Sequence, residues 1–228
     1  MLRFLFTCGA FTLFGGRPAL PAAEADPLLL NWLNAQTNFQ TWSADFTQTR
    51  ALKALAQPLT AKGHVWFAAP NQFRWELGSP AQTIAVRQPE QMLIIYPRLK
   101  RAERYPLTAG AAGPWKDALA LFEAGFPRSQ TDLESRFKIL SFVRTNDVCA
   151  VTLQPKAAAA RRMMPQIQIA FATNDFSLRA TELTFGDGST LRNDFANAEQ
   201  NPRLDETVFA PKLDADLKIV EPLKKGQP

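Results

Sequence analysis

The 228-residue sequence predicts an α+β protein built on one large antiparallel sheet. Three observations predict it. Runs with two-residue alternation recur at about ten-residue spacing, with turn residues between them. In "AAPNQFRWEL", for example, Phe73, Trp75 and Leu77 fall on one side and Gln72, Arg74 and Glu76 on the other. One amphipathic helix precedes these runs, and one helical stretch interrupts them. No repeat or low-complexity linker divides the chain, so residues 26–228 are expected to form a single domain of about 203 residues.

Residues 1–25 read as a cleaved signal peptide. Arg3 is a short basic region, Phe4 to Phe14 an apolar run, and "PAAEAD" supplies small residues for cleavage after Ala23 or Ala25. The run is far shorter than the roughly 20 residues that span a bilayer. Leu5 and Cys8 stand at lipobox offset, but Phe6 and Thr7 suit a lipobox poorly. The expected compartment is therefore the periplasm, and no later segment is a membrane span. The mature chain keeps one cysteine, Cys149, which has no internal disulfide partner; "DVCAVTL" reads as a strand with the thiol buried.

The first mature element is a helix over 27–38. Asp26 is its N-cap, Pro27 its first residue, and Leu29, Trp32, Leu33 and Gln36 its apolar spacing. "SADFTQTRAL" and "TAKGHVWFA" read as strands. Pro70-Asn71 turns into the strand quoted above, "SPAQ" into "TIAVR", and "QPEQ" into "MLIIYP". The middle differs. "LTAGAAGP" reads as a loop and "WKDALALFEAG" as a short helix, with Trp115, Leu119 and Phe122 on one face. "TDLE" matches a capping box, Thr131 to Glu134. Strands resume at about 137–143, 148–154, 166–172, 176–185 and 189–196, with "FGDGS" as a hairpin signal. "AAAARRMMP" reads as a loop. A turn of helix, Phe209 as an anchor and an edge strand at 217–220 end the domain, for about ten to eleven strands in all.

Composition excludes several classes. The chain carries a net charge of +5. Without residues 1–25 it carries +4, spread along the sequence rather than gathered in a stripe with stacking aromatics, so no nucleic-acid partner is expected. His64 is the only histidine and lies mid-strand, read as a surface residue; a Ser–His–Asp arrangement would have to use it. One histidine and one mature cysteine do not make a zinc site. No nucleophile elbow or phosphate loop occurs. We therefore expect no enzyme, no catalytic residue, no metal and no cofactor. The run "PRLKRAERYP" reads either as a solvated hairpin or as a docking edge for an acidic partner or lipid headgroups.

What remains is aromatic. The chain has 17 Phe and 5 Trp. Phe46, Trp66, Phe67, Phe73, Trp75 and Tyr96 fall on or near adjacent strands. They suit an ordinary core, or an open apolar cavity beneath helices; composition favours the core.

The ordered series F-x-Q (Phe46 to Gln48), G-x-x-W (Gly63 to Trp66), P-N-x-F-x-W (Pro70 to Trp75) and a Pro before an apolar strand resembles the LolA-type periplasmic carriers of outer-membrane lipoproteins. "VTLQPK", "FGDGSTLRNDF" and "ETVFAPKLDADLKIV" fit that family's second half, so the similarity covers about 27–221. The resemblance implies an incomplete antiparallel β-barrel, a half-barrel, with helices forming a lid over an apolar cavity for lipoprotein acyl chains. It implies cavity positions at Phe73 and Trp75, with Phe46, Ile84 and Ile94 as further candidates, and lid contacts at Trp115, Leu119 and Phe122. It also implies a monomer that receives acylated lipoproteins from an inner-membrane ABC transporter and gives them to an outer-membrane receptor. The alternatives are a carrier or sensor of another envelope lipid, and an outer-membrane lipoprotein receptor of the same fold. One position departs from the family. The Arg that commonly precedes P-N-x-F and holds the empty lid closed is Ala69 here, which implies a more open empty state. Strong hydrogen-exchange protection across 107–135 in the empty protein would contradict that.

Overall fold

The computed structural model describes residues 26–107 and 129–222. Helix α1 (Pro27–Gln36) starts where the sequence places it, because Asp26 Oδ1 accepts the Leu28 N–H at 2.8 Å and Pro27 needs no donor. It ends two residues short of the expected 38, where the Thr37 hydroxyl donates to the Asn34 carbonyl at 2.7 Å. Its buried face is Leu29, Trp32, Leu33 and Gln36, the predicted spacing. Trp32 stacks on Phe171 at 4.7 Å, which fixes α1 on the sheet. Asp26→Ala is expected to lower unfolding stability by about 1 kcal/mol. Denaturant titration checks it, and an unchanged midpoint would show that the cap is redundant.

Among the described residues the sheet has twelve strands: β1 (Thr41–Ala51), β2 (Leu59–Ala68), β3 (Gln72–Leu77), β4 (Thr83–Arg87), β5 (Gln91–Tyr96), β6 (Arg101–Pro106), β7 (Phe137–Arg144), β8 (Val148–Pro155), β9 (Gln166–Ala172), β10 (Leu178–Thr184), β11 (Thr190–Gln200) and β12 (Lys218–Val220). Their order is β12-β6-β5-β4-β3-β2-β1-β11-β10-β9-β8-β7. Two meanders, β1–β6 and β7–β11, are thus joined along the long β1–β11 pair. The sheet is open, since β7 and β12 stand at opposite ends. This is the unclosed half-barrel that the resemblance implies.

The strand count exceeds the expected ten to eleven because Arg101–Pro106, inside the basic run, is itself a strand. Its alternation is masked in the sequence by charged residues on both faces. Two further readings need correction. "AAAARRMMP" is not a loop throughout; Ala158–Met163 forms α3, a short helix of good helix formers between β8 and β9. Helix α2 (Gln130–Arg136) is capped not by Thr131 but by Ser129, whose hydroxyl accepts the Asp132 N–H at 3.0 Å. Leu133 of α2 is fully buried in the main core.

That core lies between α1, α2 and one face of the sheet. It comprises Leu29, Trp32 and Leu33, then Trp42, Ala44 and Phe46 of β1, and Val151, Ile167, Ile169 and Phe171 of the second meander. Cys149 is fully buried there, and burial pushes its thiol up from the ordinary value. We call this the inner face.

Aspartates close the turns. Asp175 Oδ1 accepts from the Ser177 hydroxyl at 2.6 Å and its N–H at 2.9 Å. Asp187, in "FGDGS", accepts from the Ser189 N–H at 2.9 Å, beside Gly188 at φ 85°. Asp205 accepts from Thr207 N–H at 2.8 Å and starts the helical turn Glu206–Phe209. These bonds hold all three carboxyls below the ordinary 3.8. A depressed folded-state value gives stability that is present above pH 3.8 and lost as pH falls through the folded pKa. These turns therefore make no pH dependence between 5 and 8 and an acid-labile limb below about 3.8. Asp175→Asn is expected to flatten that limb in urea midpoints measured against pH. A limb identical to the parent's would remove Asp175 from the account.

Candidate functional site

Direct cross-strand partners share a face, so the register assigns each candidate. Phe46 lies opposite Gly63, and Gly63 opposite Leu77. Trp75 lies between Val65 and Ala85, and Ala85 opposite Ile94. Phe73 lies between Phe67 and Arg87, continuing to Met92 and Tyr105. Phe46, Phe73, Trp75 and Ile94 therefore all occupy the inner face of the first meander.

Small neighbours make room for the large rings. Gly63 lets the Phe46 ring lie over the backbone of β2: a Cβ there would stand 2.2 Å from Phe46 Cζ. Val65 and Ala85 flank Trp75, whose ring meets Phe46 at 4.0 Å and Phe195 at 6.3 Å in an edge arrangement. Phe73, Met92, Ile94 and Tyr105 form a second buried cluster. Trp75 and Phe67 are half-buried and pack against both clusters. Trp75 is thus the junction of the main core and the first meander's aromatic surface. Phe46, Phe73 and Ile94 are buried, at 2, 6 and 3 % exposure, while Trp75 retains more contact with solvent.

Ile84 is not brought to this face. It pairs with Glu76 and Ile95, one residue out of phase with Trp75, and packs with Leu93, Ile95, Ala102, Leu213 and Leu217 on the outer face. The segment after β11 runs over it and borders an open cleft of about 450 Å³ lined by Arg74, Ile84, Ile95 and Leu213 among others. Arg74 holds that segment: Nη1 donates to the Val208 carbonyl at 3.1 Å, while Nε donates to Glu76 at 2.7 Å. Gln88 adds a bond to the Phe209 carbonyl at 2.9 Å. Arg74 is therefore committed to the outer face. It does not replace the family Arg at position 69, where the Ala69 N–H donates to the Gln40 carbonyl at 2.7 Å. The lid candidates Trp115, Leu119 and Phe122 lie outside the described residues, as do residues 1–25, the expected signal peptide.

Two groups of polar side chains cross-link the strands. Gln48 Nε2 donates to Asn193 Oδ1 at 3.0 Å, and Asn193 Nδ2 to the Thr181 hydroxyl at 3.3 Å, so the Gln of F-x-Q ties β1, β11 and β10 together. His64 Nδ1 lies 2.7 Å from Asp45 Oδ1, and Asn197 donates to Asp45 Oδ2 at 2.8 Å. The Asn197 bond and then the His64 bond hold the Asp45 carboxyl below its ordinary value. Among the described residues, no serine or threonine hydroxyl bonds His64, and no three His, Cys, Asp or Glu side chains gather as a metal site. Sequence reasoning missed the Asp45–His64–Asn197 group because its members are 19 and 152 residues apart; only the β1–β2 and β1–β11 registers join them.

An open sheet, antiparallel except for the β12–β6 pair, with helices and an aromatic row on one face, defines a half-barrel architecture. The chain belongs to the family described as outer membrane lipoprotein carrier protein LolA, whose pattern matches residues 37–212. It is 27% identical over 208 residues to an outer-membrane lipoprotein carrier protein of Dechloromonas aromatica (strain RCB), covering 90% of this chain and 93% of that one. Among solved structures, an uncharacterized conserved protein from Thermus thermophilus shares the fold at a TM-score of 0.50 and 10% identity, covering 85% of this chain and 97% of that one. A LolA superfamily protein from Nitrosomonas europaea aligns at a TM-score of 0.40 and 8% identity, over 78% of this chain and 96% of that one.

Proposed function

We propose that this chain is a periplasmic carrier that shields the acyl chains of lipoproteins and moves them from the inner to the outer membrane. The observation that supports it best is the gathering of Phe46, Phe73, Trp75 and Ile94 on one face of an open sheet, with Trp75 half-buried between two apolar clusters. The physical need is large: at ~0.8 kcal/mol per methylene, a chain of ~15 methylenes costs ~12 kcal/mol to expose to water. A shuttle must cover that surface and still release it. The partners are acylated lipoproteins, an inner-membrane ABC transporter that loads the carrier and an outer-membrane receptor that unloads it; the carrier works as a monomer, without cofactor.

Native mass spectrometry of the protein extracted from its own envelope tests the cargo. Bound triacylated lipoprotein is the expected result. Free phospholipid or glycolipid would instead make it a carrier of another lipid, and an unliganded protein throughout would remove the carrier reading.

A further inference from the structure

The turn between β5 and β6 ends the sheet in a surface that the inner-face cluster does not use. Pro97–Leu99 forms a helical turn, and Lys100 closes it in the left-handed region at φ 48°. Leu99 is left projecting. At 71 % exposure it is the most exposed large apolar side chain among the described residues. Its neighbours are cationic: Arg98, Lys100 and Arg101 in sequence, and Lys218 of β12, which pairs with Arg101 and whose N–H donates to the Lys100 carbonyl at 2.8 Å. Asp216 pairs with Lys100, and Glu103 accepts from Arg101 at 2.7 Å. Among the described residues, Arg98 and Lys218 have no carboxylate within ion-pair distance. Ile219, beside Lys218, is 40 % exposed.

We propose that this tip docks the protein on an anionic phospholipid surface, with Leu99 entering the headgroup–acyl boundary and Arg98 and Lys218 meeting headgroup phosphates. Both halves of the surface are needed. An exposed apolar side chain within a run of cationic residues matches the amphipathic pattern that lies in a membrane interface. A protein partner of the usual kind covers roughly 800 Å² and fills pockets with clustered anchors. Leu99 and Ile219 do not offer that area, and neither lines the cleft beside the turn that Pro97 and Lys100 border, whereas a lipid surface requires no matching shape. Charge complementarity favours the anionic surface, each cation being worth about fivefold in affinity. Such docking is weak, reversible and salt-sensitive, which suits a protein that must leave the membrane again. The inference does not depend on what the inner face carries.

Vesicle flotation of the cargo-free protein tests it, with neutral phosphatidylcholine against vesicles holding about 30 mol% phosphatidylglycerol at about 25 mM salt. The protein is expected to float with the anionic vesicles only and to be released as salt rises. Leu99→Ser is expected to weaken binding about tenfold, and Arg98→Ser and Lys218→Ser about fivefold each. All three positions are exposed, so folding checked by circular dichroism should be unchanged. Leu140→Ser, an exposed leucine on β7, is expected to bind like the parent. The proposal is overturned by absent binding, by equal binding to neutral vesicles, by a Leu99→Ser protein that floats like the parent, or by an equal loss in Leu140→Ser.

Discussion

Gly63→Ala is expected to destabilise the protein by about 3 kcal/mol, at the upper end of overpacking costs. Position 63 is the glycine of G-x-x-W, in the middle of β2. A Cβ there would stand 2.2 Å from the Glu76 carbonyl oxygen, 2.2 Å from Phe46 Cζ and 2.7 Å from Phe46 Cε1. The two obstacles differ in kind. A ring can rotate or be shortened by substitution, but the Glu76 carbonyl belongs to β3 and moves only with the strand. Phe46→Leu should therefore recover part of the loss in the double variant and leave the part due to β3. Urea titration of the two single variants and the double variant makes the cycle. Full recovery would show that the ring alone sets the cost, and no recovery would show that the Phe46 ring does not fill the space above Gly63. A neutral Gly63→Ala would remove the packing reason for glycine at this position.

The same position shows what a sequence can and cannot carry. Alternation and turn residues are local, so β3, β4, β8 and β9 are legible within a residue or two, and α1 is legible through Asp26, Pro27 and its apolar spacing. The pairing of Phe46 with Gly63 is not local. It needs the β1–β2 register, and only then does a glycine inside a strand become a seat for a ring. Phase is similarly decisive. Ile84 looks equivalent to Ile94 as an apolar strand residue, yet β4 places Ala85, not Ile84, beside Trp75. A one-residue difference moves a side chain to the other face of the sheet. The outer face itself was unreadable as a covered surface. Its cover, Leu213 and Leu217, comes from a segment without periodicity, held by Arg74 and Gln88 bonds to backbone carbonyls. Charged residues on β6 concealed a strand, and its parallel pairing with β12 has no local signal at all. The capping box at Thr131 failed for a different reason: Ser129 and Asp132 offered the helix an equally good start two residues earlier.

Trp75→Glu is expected to leave a folded protein that no longer holds an acyl chain. Trp75 is half-buried, so a glutamate at this position can turn its carboxylate towards water and stay ionised. The lost contacts with Phe46 and Phe195 should cost about 3 kcal/mol, less than the 5–15 kcal/mol by which domains are usually stable. An acyl chain laid against Trp75 would meet that carboxylate instead of an indole. Covering it without a partner costs several kcal/mol, and about 3 kcal/mol already weakens binding more than a hundredfold. Phe73→Glu is the contrasting variant. Phe73 is only 6 % exposed, packed among Met92, Ile94 and Tyr105, so its carboxylate has no route to water and the fold should fail. Circular dichroism together with native mass spectrometry of cargo separates the outcomes. A folded, cargo-free Trp75→Glu beside an unfolded Phe73→Glu fits an acyl-binding surface built on a buried base. If both unfold alike, Trp75 is core, and the carrier face must be sought elsewhere on the sheet. If Trp75→Glu folds and keeps its cargo, the chain does not lie against Trp75.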